Sequence, residues 1–247
     1  MNEDLGTAVV TGASSGIGAA AVHRLAATGF RVVCGARRVD KLREVAAAAG
    51  AKAIPLDVTD QASVDAFAAS VPDCRLLVNN AGGALGLEPL AQADEAHWRG
   101  MWESNVLGLM RVTKALLPRL EASGGGHVIN IGSIAGFETY PGGAGYTAAK
   151  HAVRAISQTL RLELNGKRVR VTEIDPGLVE TEFSIVRLGD AEKAKRVYEG
   201  MTPLTADDIA DCITWAATRP WHVNIDEIVV RPLAQARAGV VARGQGL

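Results

Sequence analysis

The sequence predicts an α/β fold in one domain, a doubly wound and mostly parallel sheet with helices on both faces. Three observations carry that prediction. Short apolar runs alternate with longer helical patterns from Thr7 to Arg231, the order in which parallel strands are joined by crossover helices. One of those runs, Leu76-Leu-Val-Asn79, is apolar almost without a break, which marks a strand covered on both faces. Glycines also cluster at Gly12, Gly16 and Gly18, between the first strand and the first helix, where a tight turn feeds the chain from one into the other.

The first strand is Thr7-Ala-Val-Val10, and the alanine-rich pattern after Gly18 is a helix to about Thr28. Gly29 closes it, because glycine readily takes the left-handed conformation that ends a helix. Arg31 to Ala36 is the second strand, about Asp40 to Ala49 a helix closed by Gly50, Lys52 to Leu56 the third strand, and about Gln61 to Ser70 the next helix. After Leu76–Asn79 comes a turn, Asn79-Asn-Ala-Gly82, then one long helical pattern from roughly Asp94 to Leu120. His127 to Ile131 is the fifth strand and delivers Ser133; Tyr146 to about Leu164 is a helix, and Val169 to Ile174 the sixth strand, broken by Asp175-Pro-Gly177. The charged segment Glu180 to Gly200 reads as a mobile flap with one short helix near Ala191 to Glu199, a usual companion of an active site. A helix over Ala206 to Ala217 and a strand over Glu227 to Arg231 complete seven strands. The tail that follows, rich in Ala, Arg and Gly, is expected to fray.

Composition narrows the function. A chain of 247 residues buries an ample core, and no Pro/Ser-rich or charged linker divides it. With 26 Lys+Arg against 27 Asp+Glu, the formal net charge of -1 offers no electrostatic footprint for nucleic acid or an anionic membrane. Cys34, Cys74 and Cys212 are odd in number and widely spaced, and the five histidines show no ligand spacing, so neither a disulfide framework nor a metal site is expected. The opening Met1-Asn-Glu-Asp-Leu-Gly carries acids where a signal peptide needs cations, and no apolar run reaches membrane-spanning length. A soluble cytoplasmic protein is expected.

In a doubly wound sheet, ligands sit beyond the carboxyl ends of the strands, where strand order reverses. Gly12 to Gly18, Arg37, Asp57, Asn79 to Gly82, Ser133 and Pro176 all follow a strand, so they converge on one rim. The turn Gly12-Ala-Ser-Ser-Gly16-Ile17-Gly18 lets a pyrophosphate approach the positive end of the first helix. Ser14 and Ser15 either add hydroxyls to phosphate or cap that helix. An NAD site of this Rossmann type places an acid about twenty residues beyond the glycines. Here Arg37 and Arg38 stand in its place, which favours a 2′-phosphate and hence NADP(H), the alternative being a solvated arginine pair. Asp57, followed by Val58, either accepts from the adenine amino group or caps the next helix.

On one helix, Tyr146 and Lys150 stand four residues apart, so phenol and ammonium project side by side. A nearby cation favours the ionised phenol, which predicts a Tyr146 pKa lowered by Lys150. Such a pair occurs by chance in many helices; its company gives it weight. Thr11-Gly-Ala-Ser-Ser-Gly-Ile-Gly18, Asn79-Asn-Ala-Gly82, Asn105, Ser133, Tyr146-x-x-x-Lys150 and Pro176-Gly177 together resemble the short-chain dehydrogenase/reductase family over essentially the whole chain. More narrowly, Asn130-Ile-Gly-Ser133, Asp175-Pro-Gly-Leu-Val179, Thr181-Glu-Phe-Ser184, Val186-Arg187 and His222-Val-Asn-Ile225 are similar to the bacterial NADP-dependent 3-hydroxy acid (serine) dehydrogenases.

The resemblance implies Tyr146 as general acid/base, Ser133 polarising the substrate oxygen, Lys150 on the nicotinamide ribose, and Asn105 supporting a water-linked proton path. By its residue type alone, Asn105 is a helix-interior amide bonded to backbone. The resemblance also implies that Asn79, Asn80, Ala81 and Gly82 wall the coenzyme pocket and that Pro176, Gly177, Val179 and Thr181 approach the carboxamide. A short acid substrate needs a cation, for which Arg187 of the flap is the candidate, against its reading as a surface arginine. Apolar residues lie on more than one face of the two long helices, Val106, Leu107, Leu109 and Met110 on one and Ala148, Ala152, Ala155 and Ile156 on the other. A second cover is required, and a homo-oligomer, the family's tetramer, is expected. The sequence thus points to NADP(H)-dependent interconversion of a small alcohol and its carbonyl, 3-hydroxy acids such as serine or 3-hydroxypropionate leading. A 3-oxoacyl thioester reductase and a catalytically silent NADP(H)-binding regulator are the rival readings.

Overall fold

The computed structural model describes residues 5–244; the acidic residues 1–4 and the last three of the tail lie outside it. The strands β1 Thr7–Thr11, β2 Arg31–Ala36, β3 Lys52–Pro55, β4 Leu76–Asn79, β5 Gly126–Ile131, β6 Val169–Pro176 and β7 Glu227–Val230 form one sheet in the order β3-β2-β1-β4-β5-β6-β7. Every neighbouring pair is parallel, so the sheet is wholly rather than mostly parallel. The chain winds outward from β1 to β3 and then returns to the other side of β1, which places the reversal of order between β1 and β4. That is where this architecture opens a crevice at the carboxyl ends of its strands.

Helices α1 Gly16–Thr28, α2 Val39–Ala49, α3 Gln61–Ala69, α4 Glu95–Trp102, α5 Gly108–Ala122, α6 Ala144–Glu163, α7 Phe183–Leu188, α8 Ala191–Tyr198 and α9 Ala206–Ala217 surround it. Successive strand residues point to opposite faces, and the strands here are apolar at both parities. Ala8, Val10, Leu76 and Val78 therefore join α1, α2 and α9 in one core, while Val9, Leu77 and Val128 join α3, α5 and α6 in another. Fully buried leucines such as Leu25 and Leu116 each contribute roughly 2 kcal/mol.

Capping departs from expectation at two acids and two serines. Asp60, not Asp57, caps α3, accepting from Ala62 N–H at 3.1 Å and Ser63 N–H at 3.2 Å. Asp57 instead closes a turn with the Thr59 N–H and hydroxyl. Ser15 occupies the N-cap of α1 but its side chain makes no capping bond, and neither serine caps that helix.

Three segments also differ. The long helix expected over Asp94 to Leu120 is interrupted by a π-helical turn, Glu103–Leu107, a single irregular turn too short for an apolar period read over the whole segment to single out. The flap holds two helices, α7 and α8, rather than one. The tail does not fray over its described part: Gln235–Arg237 (β8) and Val240–Val241 (β9) form an antiparallel hairpin. Ala234, Gln235 and Ala238 of that segment are buried. Among the described residues no helix is long and apolar enough to cross a membrane, and no cluster of His, Cys, Asp and Glu is placed to hold a metal.

Candidate active site

At the crevice, Asn80 and Ala81 pack directly under the glycine turn. Their N–H groups donate to Thr11 Oγ1 at 3.1 and 3.0 Å, and Asn80 Nδ2 donates to the Thr11 and Gly12 carbonyls. A Cβ on Gly12 would lie 2.8 Å from Ala81 Cα, and one on Gly18 2.5 Å from Asn80 Nδ2. Glycine at these positions is demanded by the neighbouring turn as well as by any ligand. Below them a buried polar chain ties the sheet to both flanking helices: Asn79 Nδ2 donates to Thr113 Oγ1 and Asn130 Oδ1, and Asn130 Nδ2 to Ser157 Oγ. The start of α1 has neither a side-chain cap nor an acid in its first turn, so its N–H groups and dipole face the crevice open to an anion. A dinucleotide pyrophosphate fits that cradle.

Across the rim, Ser133 follows β5 with its N–H on Asp175 Oδ1 at 2.8 Å and its Oγ near the Pro176 carbonyl at 3.4 Å. The Tyr146 ring is buried, packed edge-on against Phe183 of the flap at 5.6 Å. Lys150, also buried, lies 5.8 Å from that ring and donates to the Ile131 carbonyl at 2.9 Å. Hydroxyl, phenol and ammonium thus meet at one place, as expected. The pKa expectation fails, however: burial pushes the Tyr146 phenol up, Tyr140 adding to it, and the opposing pull comes from Ser133's hydrogen bond and from Arg187 rather than from Lys150. Burial likewise lowers Lys150, to about 8.

Asn105 sits in the π-helical turn, its Nδ2 donating to the Met101 and Gly83 carbonyls, both at 2.8 Å, while Oδ1 accepts from Gly83 N–H at 3.3 Å. Asn105 therefore ties Gly83, the residue after the Asn79–Gly82 turn, to the helix and bonds backbone, as its residue type alone predicted. Val58 is buried against Gly108. Ile17 packs into the α1 core and Val179 is buried, its carbonyl accepting from Tyr198 Oη. Gly177 N–H bonds the Val230 carbonyl, and the Thr181 methyl and Cβ lie 3.4 Å from where a Gly16 Cβ would stand, so the loop after β6 roofs the glycine turn.

Arg187 is half-buried beside Tyr146 rather than a surface residue. Its guanidinium lies 5.6 Å from the Tyr146 ring, with Nε on the Gly86 carbonyl and Nη1 on Tyr140 Oη. It closes a cavity of about 10 Å³ lined also by Leu85, Trp98, Met101 and Tyr146. At the other end of the crevice Arg37 is exposed, and Arg38 binds Ser14 Oγ at 3.2 Å and Ser15 Oγ at 2.5 Å. Asp57 sits between opposed influences, burial raising it but the Thr59 donors and Arg37 holding it low.

A family model described as short chain dehydrogenase matches residues 6–189. The chain belongs to the short-chain dehydrogenase family. An uncharacterized oxidoreductase of Mycobacterium tuberculosis is 59% identical to this short-chain dehydrogenase over 94% of its chain and 92% of the relative. The NADP-dependent 3-hydroxy acid dehydrogenase of Salmonella typhi is 43% identical, over 94% and 97%. Among solved structures, the closed form of serine dehydrogenase complexed with NADP+ superposes with a TM-score of 0.92 at 40% identity, covering 97% of this chain and 100% of that one. This short-chain dehydrogenase is an oxidoreductase.

Several residues of the site escape sequence reasoning. Glu182 of the flap reaches back to Arg38 at 2.6 Å and Lys41 at 2.8 Å, and those cations hold its carboxyl down, to about 2. Lys41 therefore joins the arginine pair as a third cation. Gln235 Oε1 accepts from Leu178 N–H, and Glu138 binds Arg231 and the Ala238 N–H; the tail thereby supports the loop after β6. Only the Thr181-Glu-Phe-Ser184 motif singled out any of these positions. The pairings themselves span from 57 to 144 residues and leave no local pattern.

Proposed function

We propose that this oxidoreductase interconverts a small secondary alcohol and its carbonyl with NADP(H), 3-hydroxy acids such as serine or 3-hydroxypropionate being the leading substrates. The observation that carries the reading is the meeting of Ser133, Tyr146 and Lys150 at the rim where the glycine turn, Arg37, Arg38 and Lys41 would hold a phosphorylated dinucleotide. Bound there, the nicotinamide supplies or accepts the hydride. Ser133 and Tyr146 both donate to the substrate oxygen, and a carbonyl gaining negative charge is stabilised by two donors already aimed at it. Because burial keeps Tyr146 protonated at neutral pH, it is ready to give a proton in reduction, whereas alcohol oxidation requires it to lose one. The Lys150 ammonium, fixed by the Ile131 carbonyl, orients the ribose hydroxyls, and Asn105 holds the turn on which a water-linked proton path would run.

Arg187 supports the substrate class. Its Nη2 has no hydrogen-bond partner among the described residues, and its guanidinium stands beside the phenol, within reach of a carboxylate two bonds from the reacting carbon. Similarity to a 3-hydroxy acid dehydrogenase and to serine dehydrogenase points the same way. The protein is further placed in the cytoplasm, in keeping with its free Cys34, Cys74 and Cys212. It is also taken as a homotetramer, because Ala148, Ala155 and Met110 remain exposed on the second faces of α5 and α6. A strictly monomeric species in sedimentation at micromolar concentration would contradict that assembly.

Kinetics of Tyr146→Phe test the central claim. The variant should bind NADPH as the parent does while kcat falls by roughly 10²–10⁴-fold. A panel of 3-hydroxy acids, simple ketones and β-keto thioesters, with NADPH and NADH, should show 3-hydroxy acids and NADP(H) preferred. Faster reduction of acyl-carrier thioesters would replace the substrate class, and undiminished turnover by the phenylalanine variant would end the mechanism.

A further inference from the structure

Behind Ser133 lie two acids that the mechanism above leaves unused. Glu173 and Asp175 alternate along β6 and so point to the same face of the sheet. Both are buried, at 3% and 0% exposure, in the space left by the missing side chain of Gly132. A Cβ there would overlap Asp175 Oδ1 and lie 2.6 Å from Glu173 Oε1. Asp175 Oδ1 accepts the Ser133 N–H at 2.8 Å, while Asp175 Oδ2 and Glu173 Oε1 are buried without any partner. Two orphaned carboxylate oxygens in one buried space are costly as a pair of anions, and a proton held between them removes both the repulsion and the unmet acceptors.

Around the pair stand Tyr146, Lys150 and Arg154 of α6, with Ser157, whose hydroxyl donates to the Val153 carbonyl; Glu227 of β7, paired with Arg154 at 2.6 Å; and Ser133 and Asn130 at the end of β5. No cation touches either carboxyl group directly among the described residues. Arg154 and Lys150 are nonetheless the cations they face, Lys150 one residue away through its bond to Ile131, beside Gly132.

We propose that Glu173 and Asp175 form an acid–carboxylate pair sharing one proton, and that this pair is a positioning element: it fixes the Ser133 backbone and sets the negative charge facing Lys150 and Tyr146. Burial and mutual repulsion push Asp175 up, to about 8, and burial raises Glu173 as well. Below that range the pair carries a single negative charge, which favours the Lys150 ammonium despite its burial. Above it the proton leaves, and a second negative charge opposes ionisation of the Tyr146 phenol. The proposal rests on the reading of Ser133, Tyr146 and Lys150 as the working groups, but its test does not depend on turnover alone.

Infrared spectroscopy of the full chain reads the shared proton directly. At pH ~7 ordinary carboxyl groups are ionised, so a carbonyl stretch of an un-ionised carboxylic acid is expected only from this pair. That band should vanish in Glu173→Gln, in Asp175→Asn, and in the parent at pH ~10. In the pH profile of alcohol oxidation, Glu173→Gln should move the inflection of the phenol downward by about half a unit or more, since one negative charge fewer faces Tyr146. Absence of the band from the parent at neutral pH, its survival in both variants, or superimposable profiles would overturn the proposal. Should Asp175→Asn fail to fold, Glu173→Gln carries both measurements. A protein inactive on every substrate would sink the catalytic reading while leaving the infrared result to decide the pair.

Discussion

A methyl group at Gly82 tests how the turn after β4 and the π-helical turn hold each other. In Gly82→Ala the new Cβ would overlap Asn105 Oδ1 and come within 3.0 Å of its Cγ. Asn105 has little freedom to yield, being 2% exposed and bonded to Met101 and Gly83 at 2.8 Å each, with two longer bonds of 3.3 Å, from Gly83 N–H and to Ser104 Oγ. The bond from Gly83 N–H should be lost and the others distorted, which at about 1 kcal/mol per bond amounts to roughly 1–3 kcal/mol. For a chain of 247 residues that lowers Tm by about 3–9 °C. Calorimetry on Gly82→Ala, Asn105→Ala and the double variant provides the check. With the amide already removed the methyl has room, so the two costs should fall short of additive by ~1 kcal/mol or more. Strict additivity, or a Tm change below about 1 °C, would refute the packing argument. Turnover separates the roles of Asn105: a drop of about tenfold or more in kcat for Gly82→Ala, with coenzyme affinity kept, follows if it supports the proton path. A normal kcat in a destabilised protein would reduce it to a structural bond.

Other outcomes follow from the same geometry. Neutralising the flap acid in Glu182→Gln releases Arg38 and Lys41, so calorimetric titration should show about 2–10-fold tighter binding of 2′,5′-ADP, fading with salt, and unchanged 5′-ADP. Weaker 2′,5′-ADP binding would mean that Glu182 positions the cations rather than competing for them. For Arg187→Ala, KM for 3-hydroxy acids should rise by roughly tenfold or more, since a charge-assisted bond is worth ~1.5–3 kcal/mol, with neutral alcohols changed far less. Equal effects on both would show that the guanidinium merely braces Tyr140 and the Gly86 carbonyl. His127 is held neutral, burial and then Arg170 keeping it well below the ordinary histidine range. The unfolded chain takes up the proton that the folded one refuses, so stability should fall as pH drops below ~6.5. Urea midpoints at several pH values should show a slope that His127→Gln flattens; identical slopes would assign the acid sensitivity elsewhere.

How far the sequence reaches depends on the range over which each feature is encoded. Arg31–Ala36, Leu76–Asn79 and Ala206–Ala217 have the expected bounds because apolar character and period are local properties of a strand covered on both faces or of an amphipathic helix. The convergence of Gly12 to Gly18, Asn79 to Gly82, Ser133 and Pro176 on one rim was also legible, since in a doubly wound sheet every strand ends at the same edge. Other features required the folded chain. The π-helical turn at Asn105, the hairpin that seats Gln235 under Leu178, the ion pairs of Glu182 and the shared space of Glu173 and Asp175 arise from groups brought together by packing. Ionisation belongs with these: the spacing of Tyr146 and Lys150 placed a cation beside the phenol, yet burial outweighed it. A charge interaction can be inferred from neighbours in sequence, whereas desolvation depends on everything that excludes water, and only the tertiary structure sets that.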